Sequence, residues 1–491
     1  MFFTVLIILV VIIIFFMRKP QNFPPGPVWY PIVGNFHILK SLSKSEGGQH
    51  KAFAKLSKIY KSNIIGLKLG TEKLVVVSSF DLIKEVAYGH EFNGRPRNFF
   101  LKLRSMGTRK GIVGTDGEHW KIQRHFVVTH LRSLGFGLKT MDDMVREEVT
   151  ELLSILKQSK ENEIKIVPII SVSVLNVLWR SLSGSRLDRS DPNLQYLLDL
   201  LDKRALAFNM AGGVLNTFPW LRFISPEKSG YNLVMELNKE LKALLMKTIN
   251  AHYETWTDGR DDDLIYSFIS EMKKSNGAPT TFTEDQLLMV CLDIFIAGSQ
   301  TTSNTLDFAI MMMILYPEIQ EKVRNTLNEA FDKIEHISYN CRGRVPYIEA
   351  VISEVQRYCH VIPVSGPKRT VKDAILGGYR IPKDTTLLFS FYSINNDESY
   401  WKDPEVFRPE RFLDSEGRLS VPERFAPYGF GLRRCIGEVL ARTSIFTIFG
   451  EILRNYMIVE ATGSQKPTEI FVSGITLIPK QYEAKFIRIS H

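Results

Sequence analysis

Cysteine is scarce in this chain: Cys291, Cys341, Cys359 and Cys435 are all there are in 491 residues, with no Cys-x-x-Cys spacing. That usage argues against structural disulfides and fits a reducing compartment. Basic residues exceed acidic ones, 62 against 53 for a net charge of +9, yet no concentrated basic tract or nucleic-acid recognition motif occurs. Nucleic acid is therefore not an expected partner, whereas an anionic membrane surface or an acidic protein would suit the excess. The nine histidines ahead of His491 form no ligand-spaced cluster. The acidic run 258–264 is not followed by ligands at calcium-loop spacing and reads as a solvated loop. Repeats and low-complexity segments are missing too, and 44% apolar with 23% charged residues is a globular composition.

One long hydrophobic run is present. Residues 1–17 are apolar except for Thr4, and Arg18 and Lys19 follow at once. As a helix the run is about 25 Å long, enough to span a bilayer core. It has no basic leader and no small-residue cleavage site, so an uncleaved signal anchor is expected, with the rest of the chain on the cytoplasmic side. Pro24-Pro25-Gly26-Pro27 then make a stiff connector. The expected division is an anchor over 1–17, a proline-rich connector over 18–27 and one large unit over 28–491.

Within that unit, 64–79 reads as two strands around a Gly-Thr-Glu turn. Residues 194–209 and 231–253 have helical periodicity and flank an apolar connector, Met210 to Pro226, which either packs inward or dips into a membrane interface. The span from Glu284 to Leu315 is helical and so apolar that most of it must be buried. In its middle Ala297 and Gly298 create a thin place where a large planar ligand could approach the backbone. The Thr301 hydroxyl can bond the carbonyl one turn back and loosen the ladder. Trp120 and Arg124 share a helix face at i and i+4, and Glu354 and Arg357 are neighbours at i and i+3 on a helix over 347–358.

The most informative stretch is Phe425 to Gly437, which sets Cys435 in a glycine-rich loop ahead of an apolar helical segment, Glu438 to Asn455. Gly429, Gly431 and Gly437 allow tight turns and close approach to a flat object. Arg433 places a permanent cation two residues before the sulfur, suited to an anionic group on that object. Beside a metal a thiol becomes a thiolate ligand. Finding Gly, Gly, Arg, Cys and Gly at five fixed positions by chance is on the order of one in a few million per start.

This loop resembles the heme-binding signature of cytochrome P-450, Phe-x-x-Gly-x-Arg-x-Cys-x-Gly, with Tyr428 where the family most often has Phe. The resemblance implies the cytochrome P-450 fold, mainly α with a smaller β-rich lobe, and a heme (iron protoporphyrin IX) with Cys435 as its axial thiolate. It implies that Trp120 and Arg124 hydrogen-bond a heme propionate, with Arg433 beside them. Lys368 or Arg369 would neutralise a propionate as well, and the sequence does not choose between the two. Residues 95–117 look like the variable loop over the substrate side of the heme, and the turn within 471–477 resembles the hairpin whose tip faces substrate. Ala297 to Thr302 resembles the family's oxygen-activation motif, which makes Thr301 and Gln300 the catalytic candidates, Thr301 steering protons. Gln300 stands where most members carry an acid, and an amide can orient water but cannot give up and regain a proton. Glu354, Arg357 and Arg411 resemble the buried charge triad that holds the cysteine loop.

Together with residues 1–17, the resemblance implies a heme-thiolate monooxygenase of the endoplasmic reticulum membrane (microsomal), its catalytic domain facing the cytosol. It would insert one atom of O2 into an apolar organic substrate (a terpenoid hormone, steroid or xenobiotic) by hydroxylation or epoxidation. NADPH and O2 are the implied co-substrates. The implied partners are NADPH-cytochrome P-450 reductase and cytochrome b5, with Arg434 and Lys121 as docking cations. The chain is most similar to animal microsomal members, among them insect ones of the juvenoid-epoxidising and hormone-processing branch. Two alternatives stay open: a heme-thiolate isomerase or dehydratase needing no external electrons, against which Thr301 argues, and a non-enzymatic heme-bound carrier or sensor of apolar ligands.

Overall fold

Of the helices α1 (Phe99–Arg104), α2 (Gly117–Ser133), α3 (Val167–Ser183), α4 (Pro192–Ala207), α5 (Tyr231–Thr255), α6 (Glu284–Leu315), α7 (Pro346–Cys359) and α8 (Glu438–Asn455), five carry residues that line the site, namely α2, α3, α6, α7 and α8, joined by the short helix Phe391–Asn395. The computed structural model describes residues 17–133, 139–160, 162–274, 279–331, 336–463 and 466–489. The expected anchor over 1–17 lies outside the described residues except for Met17, and no helix among the described residues is long and apolar enough to cross a membrane.

Local chemistry sets the helix ends. Asp191 accepts from the Asn193 N–H to cap α4, and Pro192 takes the first helical position. Thr283 caps α6 by accepting from the Gln286 N–H, with Glu284 and Asp285 in the first turn where the helix dipole favours acids. Pro317 opens the next helix and so ends α6 at Tyr316. Being apolar on nearly every side, α6 runs through the core with α3, α5 and α8 packed around it.

Ten strands make the smaller part of the described fold: β1 (Ile64–Leu69), β2 (Glu72–Val77), β3 (Lys368–Arg369), β4 (Ala374–Leu376), β5 (Tyr379–Ile381), β6 (Thr386–Phe389), β7 (Tyr456–Glu460), β8 (Phe471–Ser473), β9 (Leu477–Pro479) and β10 (Ala484–Arg488). β1 and β2 form the expected hairpin, in register from Ile64↔Val77 to Leu69↔Glu72, with Gly70 at φ +59° in the turn. β6 lies parallel to β2, and β3 closes the sheet antiparallel to β6, giving the order β1-β2-β6-β3. The ribbons β4–β5, β7–β10 and β8–β9 complete the described β part.

Three local expectations change. The run 258–264 is not wholly solvated: Asp263 is 1% exposed, caps the helix Leu264–Lys274 by accepting from the Tyr266 N–H, and pairs with His252 at 3.0 Å. The connector 210–226 splits its apolar residues, burying Leu215 and leaving Trp220, Phe223 and Ile224 exposed. The tip of the β8–β9 hairpin is seated on α4: Ile475 N–H donates to the Ala205 carbonyl at 2.7 Å, and a Cβ on Gly474 would sit 2.1 Å from that oxygen.

Candidate heme-thiolate site

Between α6 and the loop ahead of α8 lies a cavity of about 390 Å3, bounded by Thr301 on one side and Cys435 on the other. The Cys435 N–H donates to the Tyr428 carbonyl at 2.9 Å, which closes the loop beneath the sulfur. Gly429 (φ +75°) and Gly431 (φ +63°) are left-handed, as the sequence suggested, but they serve different neighbours. Gly429 and Gly437 line the cavity. Gly431 instead abuts the helix Phe80–Tyr88, where a Cβ would lie 2.3 Å from the Ala87 carbonyl oxygen. Of the four cysteines only Cys435 is exposed, because it opens into the cavity. Enclosure from bulk water pushes its thiol pKa up, against the opposing pull of the Gly437 N–H. Ligation by a metal would be what holds this sulfur as a thiolate.

Behind the loop the sequence pair Glu354–Arg357 is wholly buried and part of a larger knot. Arg357 Nε and Nη2 donate to the two Glu354 oxygens at 2.7 and 2.8 Å, and both side chains are 0% exposed. Arg411 Nε reaches the same carboxylate at 3.3 Å, and so does the backbone N–H of Arg408 at 2.9 Å. The remaining guanidinium donors run to carbonyls of Asn395, Trp401, Lys402, Asp403 and Val406. A carboxylate on α7 thus fixes Arg408 and the short 3-10 turn Pro409–Phe412 ahead of the cysteine loop.

One edge of the cavity is cationic. Arg433 donates to Asn93 and to the Thr115 carbonyl, stacks over Trp120 at 3.6 Å, and leaves Nη1 buried without a partner. Lys368 Nζ is likewise buried and unpartnered. Burial, with Arg95 and Arg433 nearby, lowers its pKa to about 7; burial and Arg95 lower Arg433 to about 8. Arg124 lies 5.8 Å from the Trp120 ring centroid and holds the loop through the Arg434 carbonyl at 2.6 Å. Trp120, Arg124, Lys368 and Arg433 are therefore brought together as anticipated.

Arg369 is not. Its guanidinium bonds Asp116 at 3.0 Å and Asp384 at 2.6 Å, and it does not line the cavity. Adjacent strand residues point to opposite faces, so in β3 only one of Lys368 and Arg369 could face inward. Arg95 was missed. It lines the cavity with Nε unpartnered and its pKa pulled down to about 10 by burial, but it stands in an aperiodic segment that offered no signal beyond residue type. Of the two expected docking cations, Arg434 is paired with Glu438 and Lys121 with Glu118.

On the opposite wall the Thr301 hydroxyl donates to the Ala297 carbonyl at 2.9 Å, while α6 remains continuous through it. Ala297 faces the cavity, but the missing Cβ of Gly298 is used by Leu178 of α3, whose Cδ2 would be 2.4 Å away. Gln300 turns from the cavity; its amide donates to Asp202 of α4 at 2.6 Å.

A sulfur on one wall, a hydroxyl on the other and three cations on one edge, each with a buried unpartnered nitrogen, fit a flat metal macrocycle with carboxylates at its rim. Fold and site thus define a protein of the heme-thiolate class. The family description "Cytochrome P450" matches residues 24–486, and the chain belongs to that family. It is 42% identical to "Probable cytochrome P450 305a1" of Drosophila melanogaster over 96% of this chain and 95% of that protein. It is 33% identical to "Farnesoate epoxidase" of Bombyx mori over 94% and 93%, and 32% identical to human "Cytochrome P450 2J2" over 94% and 90%. It is accordingly a monooxygenase oxidoreductase, using heme, NADPH and O2 with electrons supplied through a reductase.

Proposed function

We propose that this chain is a membrane-bound monooxygenase of the endoplasmic reticulum that hydroxylates or epoxidises an apolar organic substrate, with its catalytic domain facing the cytosol. The single observation that carries the reading is the opposition of Cys435 and Thr301 across one cavity whose cationic edge is left unneutralised by the protein. Cys435 Sγ would hold the iron, and Lys368, Arg433, Arg95 and Arg124, with Trp120, would hold the carboxylates at the rim. When bound, the heme supplies the redox chemistry that activates dioxygen. Thr301 holds a hydroxyl proton at the cavity face of α6, and Gln300 positions that turn by tying it to α4. The apolar residues Ile112, Val113, Ile294 and Val361 exclude water around the substrate.

Residues 1–17, together with exposed Trp220, Phe223 and Ile224, suit a membrane-seated molecule that takes substrate from the lipid side. NADPH-cytochrome P-450 reductase would be the electron donor, and cytochrome b5 a second partner. The name of the silkworm relative, farnesoate epoxidase, favours a terpenoid-like chain and epoxidation over a rigid steroid. The test is reconstitution with reductase in vesicles and mass spectrometry of products from terpenoid, steroid, fatty-acid and xenobiotic panels. Oxygenated product that requires NADPH supports the reading. Product formed without NADPH would point to an isomerase or dehydratase, and tight binding with no product to a carrier or sensor.

A further inference from the structure

Ahead of β1 the helices Phe36–Glu46 and Gln49–Tyr60 form a hairpin whose charge is almost entirely of one sign. Residues 36–61 hold six lysines (Lys40, Lys44, Lys51, Lys55, Lys58 and Lys61) against one acid, Glu46. About a twentieth of the chain thus carries more than half of its net charge of +9. All six lysines are exposed, and among the described residues none has an ion-pair partner. Lysines elsewhere are commonly matched by acids, as Lys121 is by Glu118, Lys203 by Asp199 and Lys274 by Glu271. Spacings of four and seven put Lys40 with Lys44, and Lys51 with Lys55 and Lys58, on single helix faces turned away from the buried Leu39, Phe53 and Leu56.

The hairpin lies where the expected anchor joins the catalytic unit. Its buried side chains Leu39, Phe53 and Leu56 pack with Ile65 and Leu67 of β1. The proline-rich connector seats on the same strand, because the Gly66 N–H donates to the Pro25 carbonyl at 2.8 Å. Phe36, at the start of the first helix, meets Phe218 edge-on at 5.2 Å, and Phe218 lies 6.1 Å from Trp220. The hairpin therefore borders the segment that exposes Trp220, Phe223 and Ile224, and Ile32 just ahead of it is 79% exposed. Cations flanking exposed apolar and aromatic side chains are the composition of a surface that rests in a bilayer interface. A cluster of about four to eight basic residues just cytoplasmic of an anchor suits anionic headgroups.

We propose that the hairpin 36–61 is a docking surface for anionic phospholipid headgroups and seats the catalytic unit on an acidic leaflet beside its anchor. This rests on the membrane-bound reading above and adds a charge requirement to it. The apolar run 1–17 and the exposed Trp220, Phe223 and Ile224 are indifferent to headgroup charge, whereas six unpaired lysines are not. Each lysine close to an anionic surface contributes about fivefold in affinity, and less as salt rises. Its ammonium is a compact charge with three donors, suited to the phosphate and carboxylate oxygens of a headgroup. An acidic protein would offer the same charge, but the shared seat on β1 puts the hairpin at the membrane end of the unit and favours lipid.

The test is limited acetylation of the full-length heme-loaded protein in lipid nanodiscs, read lysine by lysine with mass spectrometry. The discs are phosphatidylcholine alone or with about a third phosphatidylserine. In the anionic discs Lys40, Lys44, Lys51, Lys55 and Lys58 should label at least about fivefold more slowly than in the neutral ones, and high salt should abolish the difference. Lys121 and Lys322 should label alike in both. The triple variant Lys51→Glu, Lys55→Glu, Lys58→Glu should lose the protection of Lys40 and Lys44 with its melting temperature and reduced-CO band unchanged, and the matching triple arginine variant should keep it. Equal labelling of the hairpin in the two discs would overturn the proposal, as would protection that survives the glutamate variant. Protection that appears only when reductase is added would overturn it in favour of an acidic protein surface. Failure to enter discs of either composition would count against the membrane-bound reading and the proposal together, whereas entry into both with equal labelling sinks the proposal alone.

Discussion

Replacing Glu354 with alanine removes the acceptor from four donors at once: Arg357 Nε and Nη2, Arg411 Nε and the Arg408 N–H. Arg357 is 0% exposed and Arg411 5% at the side chain, so two guanidinium groups would be left charged and unpaired inside the protein. Breaking one buried pair by removing a partner costs about 3–5 kcal/mol. With two cations stranded, Glu354→Ala should lose at least about 5 kcal/mol, the lower end of the whole stability of a typical protein. Arg411→Ala should be milder, because Glu354 keeps both bonds from Arg357 and the Arg408 N–H. The assay is heme content per folded protein after expression, read by the thiolate-type band of the reduced CO complex, beside thermal melts. The expected order of loss is Glu354→Ala, then Arg357→Ala, then Arg411→Ala. A Glu354→Ala protein with full heme content and a melting temperature within about 2 °C of wild type would refute the reasoning, since about 1 kcal/mol already shifts a midpoint measurably.

Thr301→Ala removes the hydroxyl on the cavity wall of α6 and should lower product formed per NADPH at least about tenfold, with peroxide rising in proportion; unchanged coupling would remove Thr301 from proton delivery. Lys368→Met should weaken heme retention while stabilising the heme-free protein. With a folded pKa near 7 against an ordinary 10.5, the folded state binds fewer protons than the unfolded one, so heme-free wild-type stability should rise with pH across that window and the variant's curve should flatten. Identical pH–melting curves would contradict this. Asp307→Asn tests the reverse sign. Burial raises that carboxyl from 3.8 to about 7 against a 2.9 Å bond from the Tyr482 hydroxyl, so wild-type stability should fall as pH rises through that range. The substitution should recover up to about 4 kcal/mol above neutrality, an upper bound from 1.36 kcal/mol per pKa unit, and no gain would show the proton is not held there.

Much of the site was legible because its chemistry is local. The cysteine loop is one contiguous segment, and Trp120 with Arg124 is a single helical turn that the resemblance assigned to the same site; both line one cavity. The long apolar helix announced its burial through composition alone. What escaped the sequence depends on which element packs where. The thin place at Gly298 accommodates Leu178 as well as the cavity, and the positive-φ Gly431 faces Ala87, because both neighbours come from distant segments. Gln300 turned out to face Asp202, 98 positions away. Arg95 carried no pattern; it becomes conspicuous only once its place in the cavity lining and its unpartnered Nε are known.

The two-residue strand β3 makes cation placement a matter of parity. Its phase is set by pairing Lys368 with Leu387 and Arg369 with Thr386 on β6. Deleting a single residue just ahead of the strand, such as Gly366, would leave composition and net charge almost untouched while exchanging inside for outside. The guanidinium would then face the cavity, and Asp116 and Asp384, built around a planar fork, would meet an ammonium or nothing. Length in this short stretch is therefore as strictly determined as side-chain identity, and insertions tolerated in the neighbouring β4–β5 turn should not be tolerated here.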